Sequence, residues 1–194
     1  RLRAMAPASV LKSDMPSFQP PTTRILLADD HQMFREALCH LLQTQSDLEV
    51  VGQTGDGAQV LALAQQCSPG IVCMDISMPG MEGPDVTRQL LALMPQVKVV
   101  ALSAYADQRY VLEMLQAGAC GYVTKAEASD ELLRAIRTVL QGKTYLCPDV
   151  AGVVAGAVLG QGDPARPAAR LGPRERQVLK LVAEGCTSIQ IGDM

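Results

Sequence analysis

From Thr22 onward the chain alternates between two hydrophobic periods. Five short apolar runs, "RILLADD" (24–30), "LEVVGQ" (48–53), "GIVCMD" (70–75), "VKVVALSA" (97–104) and "CGYVTK" (120–125), have the length of strands. Runs without polar alternation are expected of strands covered on both faces. Between and after them, apolar residues recur at helical spacing. The sets are Phe34, Ala37, Leu38, Leu41 and Leu42; Val60, Leu61 and Ala64; Val86, Leu90, Leu91 and Met94; Val111, Met114 and Leu115; and Leu132, Leu133, Ile136, Val139 and Leu140. Each set predicts a helix with one apolar face, and Ser129 is the expected cap of the last. Five strands alternating with five helices predict a doubly wound α/β domain with a parallel sheet over residues 22–146.

The flanks follow other rules. Residues 1–21 are interrupted by prolines and lack the unbroken apolar stretch of a signal peptide, so they are expected to form a disordered lead-in. Residues 147–170 read as a linker: "VAGVVAGAVLG" from Val150 suits a short helix weakened by its glycines, and "GQGDPARPAAR" is a flexible connection. In the closing segment, residues 171–194, Val178, Leu179, Leu181 and Val182 mark one more helix, with Pro173 near its first turn and Gly185 at its end.

Composition narrows the class. A hydrophobic content of 48% with 19% charged residues describes a globular chain with a sizeable core, and a net charge of −3 gives it no general attraction to nucleic acid. The six cysteines include no C-x-x-C pair, and the chain is too long and apolar to need disulfide staples, which points to a reducing, cytoplasmic compartment. The longest apolar run, Val150–Gly160, is too short to span a bilayer, so no membrane partner is expected.

In an open parallel sheet, ligands bind beyond the carboxyl ends of the strands. The residues expected there are Asp29 and Asp30, Asp75, Ser103 and Lys125. Three carboxylates at one sheet edge repel each other and call for a cation; hard oxygen donors suit Mg²⁺, which often co-binds a phosphate. A lysine and a hydroxyl at neighbouring strand ends add donors for phosphoryl oxygens. Asp75, at the end of the central strand, is the carboxylate best placed to act as a nucleophile and form an aspartyl phosphate. His31 reads as a helix-start residue in preference to a ligand, and "GDGAQ" at Gly55 lacks the third glycine of a dinucleotide loop.

The set "ADD" (28–30), "MDISMPGMEG" (74–83), "LSA" (102–104) and "GYVTK" (121–125) resembles the receiver domain of two-component response regulators over roughly Thr23 to Tyr145. That resemblance implies a five-stranded, parallel, doubly wound receiver of the flavodoxin-like type. It further implies that Asp75 is the phosphoacceptor, that Asp30 and Asp75 bind Mg²⁺ directly with the Ser77 carbonyl, and that Asp29 acts largely through water. Ser103 would donate to the phosphoryl group, Lys125 would pair with it, and Tyr122 would be the aromatic switch that turns inward. Ala126 stands where many receivers carry proline after the lysine.

The closing segment is similar to the opening of the LuxR-type helix-turn-helix found in NarL/FixJ-type regulators, through Leu171, Arg174, Glu175, Val178, Leu179, Leu181, Ala183 and Gly185. The recognition helix of that module would lie beyond Met194. The resemblance implies a histidine kinase as phosphodonor, a phosphorylation-dependent homodimer, and DNA as a partner of a full-length form but not of residues 1–194 alone. Two other readings compete. One is a receiver acting through protein contacts only, with a vestigial tail. The other, a haloacid dehalogenase-type phosphotransferase, needs D-x-D after the first strand, where this chain has adjacent aspartates; an enzyme is therefore not expected.

Overall fold

The computed structural model describes residues 22–158. In chain order the elements are β1 (Thr23–Ala28), α1 (Gln32–Gln43), β2 (Leu48–Thr54), α2 (Gly57–Cys67), β3 (Ile71–Asp75), α3 (Gly83–Leu93), β4 (Lys98–Ser103), α4 (Gln108–Gln116), β5 (Gly121–Thr124), α5 (Ala128–Leu140), β6 (Tyr145–Leu146) and α6 (Pro148–Val158). The lead-in, residues 159–170 of the expected linker and the helix-turn-helix segment lie outside the described residues.

The unbroken apolar runs have a simple origin. Successive side chains of a strand point to opposite faces, and Ile25 and Leu27 join one core cluster while Leu26 and Ala28 join the other. The Ile25 side is packed by Leu38 and Leu42 of α1 and by Leu132, Ala135, Ile136 and Val139 of α5. The Leu26 side is packed by Val60 and Ala64 of α2, Val86 and Leu90 of α3, and Val111 and Met114 of α4. A sheet covered on both faces has no solvent side to select polar residues.

All strands pair in parallel, in the order β2-β1-β3-β4-β5-β6. The order reverses at β1, whose neighbours β2 and β3 lie on either side. From β1 the chain leaves toward α1 on one face, and from β3 toward α3 on the other. A crevice therefore opens beyond Ala28 and Asp75.

The structure departs from expectation in four places. A sixth strand of two residues joins the five, held by Tyr145 N–H donating to the Cys120 carbonyl at 2.9 Å and Cys147 N–H to the Tyr122 carbonyl at 3.1 Å. Two residues are too few to carry a periodic signal. Next, the expected linker opens with α6, which packs on α4 and β5: Cys147 and Val150 are fully buried in the cluster that holds Val111, Met114 and Tyr122. The Tyr145 hydroxyl, which donates to Glu131 of α5, ties this extension to the body. Finally, α5 starts after Glu127 rather than after Ser129, its first turn closed by Glu131 N–H on the Glu127 carbonyl at 2.9 Å. Ser129 is exposed within that turn, where Asp130 and Glu131 complement the helix dipole. The apolar stripe of α1 is also narrower than its spacing suggests, since Ala37 is exposed.

No helix among the described residues is long and apolar enough to cross a membrane. Two substitutions on α6 should act with opposite sign. Val150→Ala removes buried methyl groups and should cost about 1–3 kcal/mol. A Cβ at Gly152 meets nothing within 4 Å and its φ is not positive, so Gly152→Ala should stabilise by about 0.4–1 kcal/mol. Thermal denaturation followed by circular dichroism should lower the midpoint of the first and raise that of the second; equal shifts would mean that α6 is not docked.

Candidate functional site

Asp29 and Asp30 follow β1, Asp75 ends β3, Ser103 ends β4 and Lys125 follows β5, so the sheet delivers all five to one edge. Backbone bonds fix Asp29, Ser103 and Lys125 and the residue after Asp75. Asp29 N–H donates to the Thr54 carbonyl at 3.0 Å, Ile76 N–H to Leu102 at 3.2 Å and Lys125 N–H to Ser103 at 2.7 Å, which prolongs the sheet pairing by one residue past each strand. Asp29 is turned inward, 1% exposed, with its Oδ1 accepting the His31 N–H at 2.9 Å and its carbonyl accepting from Arg35. Asp75 is buried, and its Oδ1 accepts the Ser77 N–H at 3.2 Å.

Two glycines bring the loop after Asp75 into place. A Cβ on Gly83 would lie 2.6 Å from the Asp75 carbonyl oxygen and 2.8 Å from Ile76 Cα, and one on Gly57 would lie 2.3 Å from the Met81 carbonyl oxygen. The loop is thus pressed between the starts of α2 and α3 without room for any side chain at either point. In "GDGAQ", Asp56 caps α2 by accepting the Ala58 N–H at 2.9 Å.

Lys125 stands at the centre. Its Nζ is 2.8 Å from Asp29 Oδ2 and 2.8 Å from Asp75 Oδ2, and it lies 5.1 Å from the centre of the Phe34 ring. Burial pulls the ammonium's pKa down, but the close contacts and charges of Asp29 and Asp75 outweigh it and hold the pKa above the ordinary lysine value. Burial pushes the Asp75 carboxyl above its ordinary value. The Lys125 hydrogen bond and charge and the Ser77 N–H pull the other way, while repulsion from Asp29 adds to the rise. A buried carboxylate perturbed by a named charge partner in a crevice is what chemistry at a carboxylate requires. The Lys125–Ala126 bond is trans, as there are no cis peptide bonds among the described residues.

One ammonium does not balance three carboxylates. Asp29 Oδ2 and Asp30 Oδ1 are buried without a hydrogen-bond donor. Their close neighbours, Lys125 Nζ at 2.8 Å and His31 Nδ1 at 2.6 Å, lack the alignment of hydrogen-bond donors. Asp29, Asp30, His31 and Asp75 each present a ligand atom, all within 4.8 Å of one another. Unsatisfied carboxylate oxygens in such a group fit a small divalent cation. Ser77 is exposed at the rim, two residues after Asp75.

On the other flank, the Ser103 hydroxyl donates to the Tyr105 carbonyl at 2.8 Å and accepts the Tyr105 N–H at 3.2 Å. The Tyr122 hydroxyl donates to the same carbonyl at 3.3 Å, with its ring fully buried. Burial pushes the Tyr122 phenol up to about 12, against the pull of the neighbouring Ser103 hydroxyl. Sequence reasoning assembled Asp29, Asp30, Asp75, Ser103 and Lys125 correctly at one edge. It missed the Tyr105 carbonyl, which any residue supplies, and read His31 as a helix-start residue. That residue does start α1, as its N-cap, but its ring also faces Asp30.

The sequence pattern of the response regulator receiver domain matches residues 25–137. Over 170 residues the chain is 36% identical to the transcriptional regulatory protein LiaR of Bacillus subtilis (strain 168), covering 88% of this chain and 81% of that protein. It is 32% identical over 170 residues to the DNA-binding transcriptional activator DevR/DosR of Mycobacterium tuberculosis (strain ATCC 25618 / H37Rv), covering 88% of this chain and 78% of the other. A two-component response regulator of the LuxR family from Aurantimonas sp. SI85-9A1 superposes with a TM-score of 0.68 at 31% identity, covering 71% of this chain and 99% of that one.

The buried phenol gives a pH test. An unfolded tyrosine ionises near pH 10 and Tyr122 in the fold near about 12. The stability gained by keeping it neutral is therefore complete below pH ~10 and lost as the pH rises through the folded value. Ultraviolet titration should resolve one late phenol, absent in Tyr122→Phe; simultaneous ionisation of all four tyrosines near pH ~10 would contradict the burial.

Proposed function

The chain belongs to the response regulators of the NarL/FixJ type, and from that premise we propose that it receives a phosphoryl group on Asp75 from a histidine kinase and thereby controls transcription. The observation that carries this reading is the buried trio at the sheet edge, in which one lysine is shared by Asp29 and Asp75. A carboxylate oxygen of Asp75 attacks phosphorus, forming the new P–O bond. The bond from phosphorus to the donor nitrogen breaks, and the donor imidazole leaves with the electron pair.

The residues around Asp75 have distinct tasks in that transfer. The Ser77 N–H on Oδ1 orients the carboxylate. Lys125, already drawn to Asp75 Oδ2, stays with the charge when it moves onto the phosphoryl oxygens. Asp30, Asp75 and the Ser77 carbonyl would hold Mg²⁺, with Asp29 acting through water, and the bound ion would supply charge neutralisation at the phosphoryl group. The Ser103 hydroxyl has to leave the Tyr105 carbonyl to donate to that group, and Tyr122 then becomes that carbonyl's remaining side-chain donor. This exchange is how Tyr122 would report the phosphorylated state.

Output follows from self-association and from the segment that opens at Leu171. The proposed dimer face combines Gln32–Leu42 of α1 with Asp130–Gln141, where Met33 is 86% exposed. DNA contact belongs to a form that includes a complete helix-turn-helix; residues 171–194 carry Arg174, Arg176 and Lys180 against Glu175, Glu184 and Asp193 and have no net attraction for phosphates.

A small-molecule phosphodonor with Mg²⁺ should add one phosphate to the chain, stable to acid and labile to base. Asp75→Asn should abolish the adduct, and Asp30→Ala should lose the metal-dependent phosphorylation as well. An undiminished yield in Asp75→Asn would refute the assignment. A beryllofluoride-type mimic can shift the monomer–dimer equilibrium only through its differential affinity for the two states. Sedimentation should show a higher mass with the mimic at a given concentration, and identical masses throughout would exclude a dimer switch.

A further inference from the structure

The ring of His31 occupies a place that helix capping does not explain. His31 is the N-cap of α1, in extended conformation, yet its side chain makes no capping bond. Nδ1 turns back toward the carboxylates instead, 2.6 Å from Asp30 Oδ1 and 3.5 Å from Asp29 Oδ1, with Lys125 Nζ at 3.4 Å. The ring is 69% exposed, so packing does not force this rotamer. The oxygen it faces, Asp30 Oδ1, is one of two buried carboxylate oxygens without a hydrogen-bond donor among the described residues.

We propose that His31 Nδ1 is a ligand of the cation held at this site, and that it tunes the site toward divalent transition ions at the expense of Mg²⁺. This rests on the reading of Asp30 and Asp75 as cation ligands. Mg²⁺ takes hard oxygen donors, whereas an imidazole nitrogen raises affinity for Mn²⁺, Co²⁺ and Ni²⁺ in increasing order. Four donor atoms within 4.8 Å of each other, one of them nitrogen, form a mixed set. Lys125 engages Oδ2 of both Asp29 and Asp75 at 2.8 Å, more closely than it approaches His31 Nδ1 at 3.4 Å, and leaves Asp30 to the ion. The only other histidine, His40, lies ~13 Å further along the helix axis and serves as an internal control.

Pulsed electron paramagnetic resonance of Mn²⁺ bound to the full 194-residue chain reads the inference directly. A hyperfine coupling to directly bound nitrogen should be present in the wild type and in His40→Ala and absent in His31→Ala. Calorimetric titration of His31→Ala with Co²⁺ and Mg²⁺ should lower the ratio of their affinities on the order of tenfold, while circular dichroism shows the fold retained. If wild-type Mn²⁺ shows no nitrogen coupling and Asp30→Ala still abolishes binding, the carboxylate site stands and the His31 ligand is refuted. If Mn²⁺ binds as well to Asp30→Ala, the ion is elsewhere and both readings fall.

Discussion

The ammonium of Lys125, 2.8 Å from both Asp29 and Asp75, is the contact on which the site depends. These two carboxylates come from β1 and β3, adjacent strands whose chains leave in opposite directions, and the lysine comes from β5, beyond β4. The sheet order therefore converts three distant sequence positions into one charge cluster. Without Lys125, Asp29 and Asp75 would repel each other in a place shielded from water, where such repulsion is poorly screened. With it, two of the three negative charges remain uncompensated, and the arrangement is left poised for a further cation.

The same contact sets the tolerance of the surrounding backbone. Asp75 is held by Ser77, by the sheet register at Leu102 and by a loop pressed between Gly57 and Gly83. Those two glycines serve close approach rather than unusual dihedral angles. Gly80, with φ of +84°, is different: its conformation itself disfavours a side chain. The loop thus combines contact and conformational constraints within a few residues of the reactive carboxylate.

Much of this was legible because strands buried on both faces leave a plain trace: an apolar run that stops abruptly at a polar residue. Asp29, Asp75, Ser103 and Lys125 are those stopping points, so one pattern marks both the strand ends and the site. The cap of α5 was misplaced because Ser129 is a favoured capping residue, whereas the observed start at Glu127 uses no side-chain bond at all. The position of the His31 ring depends on a rotamer that spacing cannot report. β6 escaped because a two-residue strand has no period; α6 was expected as a short linker helix, but its docking was not, since it carries Val, Ala and Gly with little polar contrast.

The docking of α6 on α4 and β5 has a consequence for competition. A covalently attached occupant presents itself to its own surface at an effective concentration on the order of millimolar. A partner seeking the surface around Val111 and Met114 cannot simply bind there; it has to displace Val150 and Cys147, which fill that position in the same molecule. Its apparent dissociation constant is weakened by the factor with which α6 prefers its docked state. The surface is available in proportion to how readily the chain's own helix lets go, which makes affinity for it a property of the intramolecular equilibrium as much as of the partner.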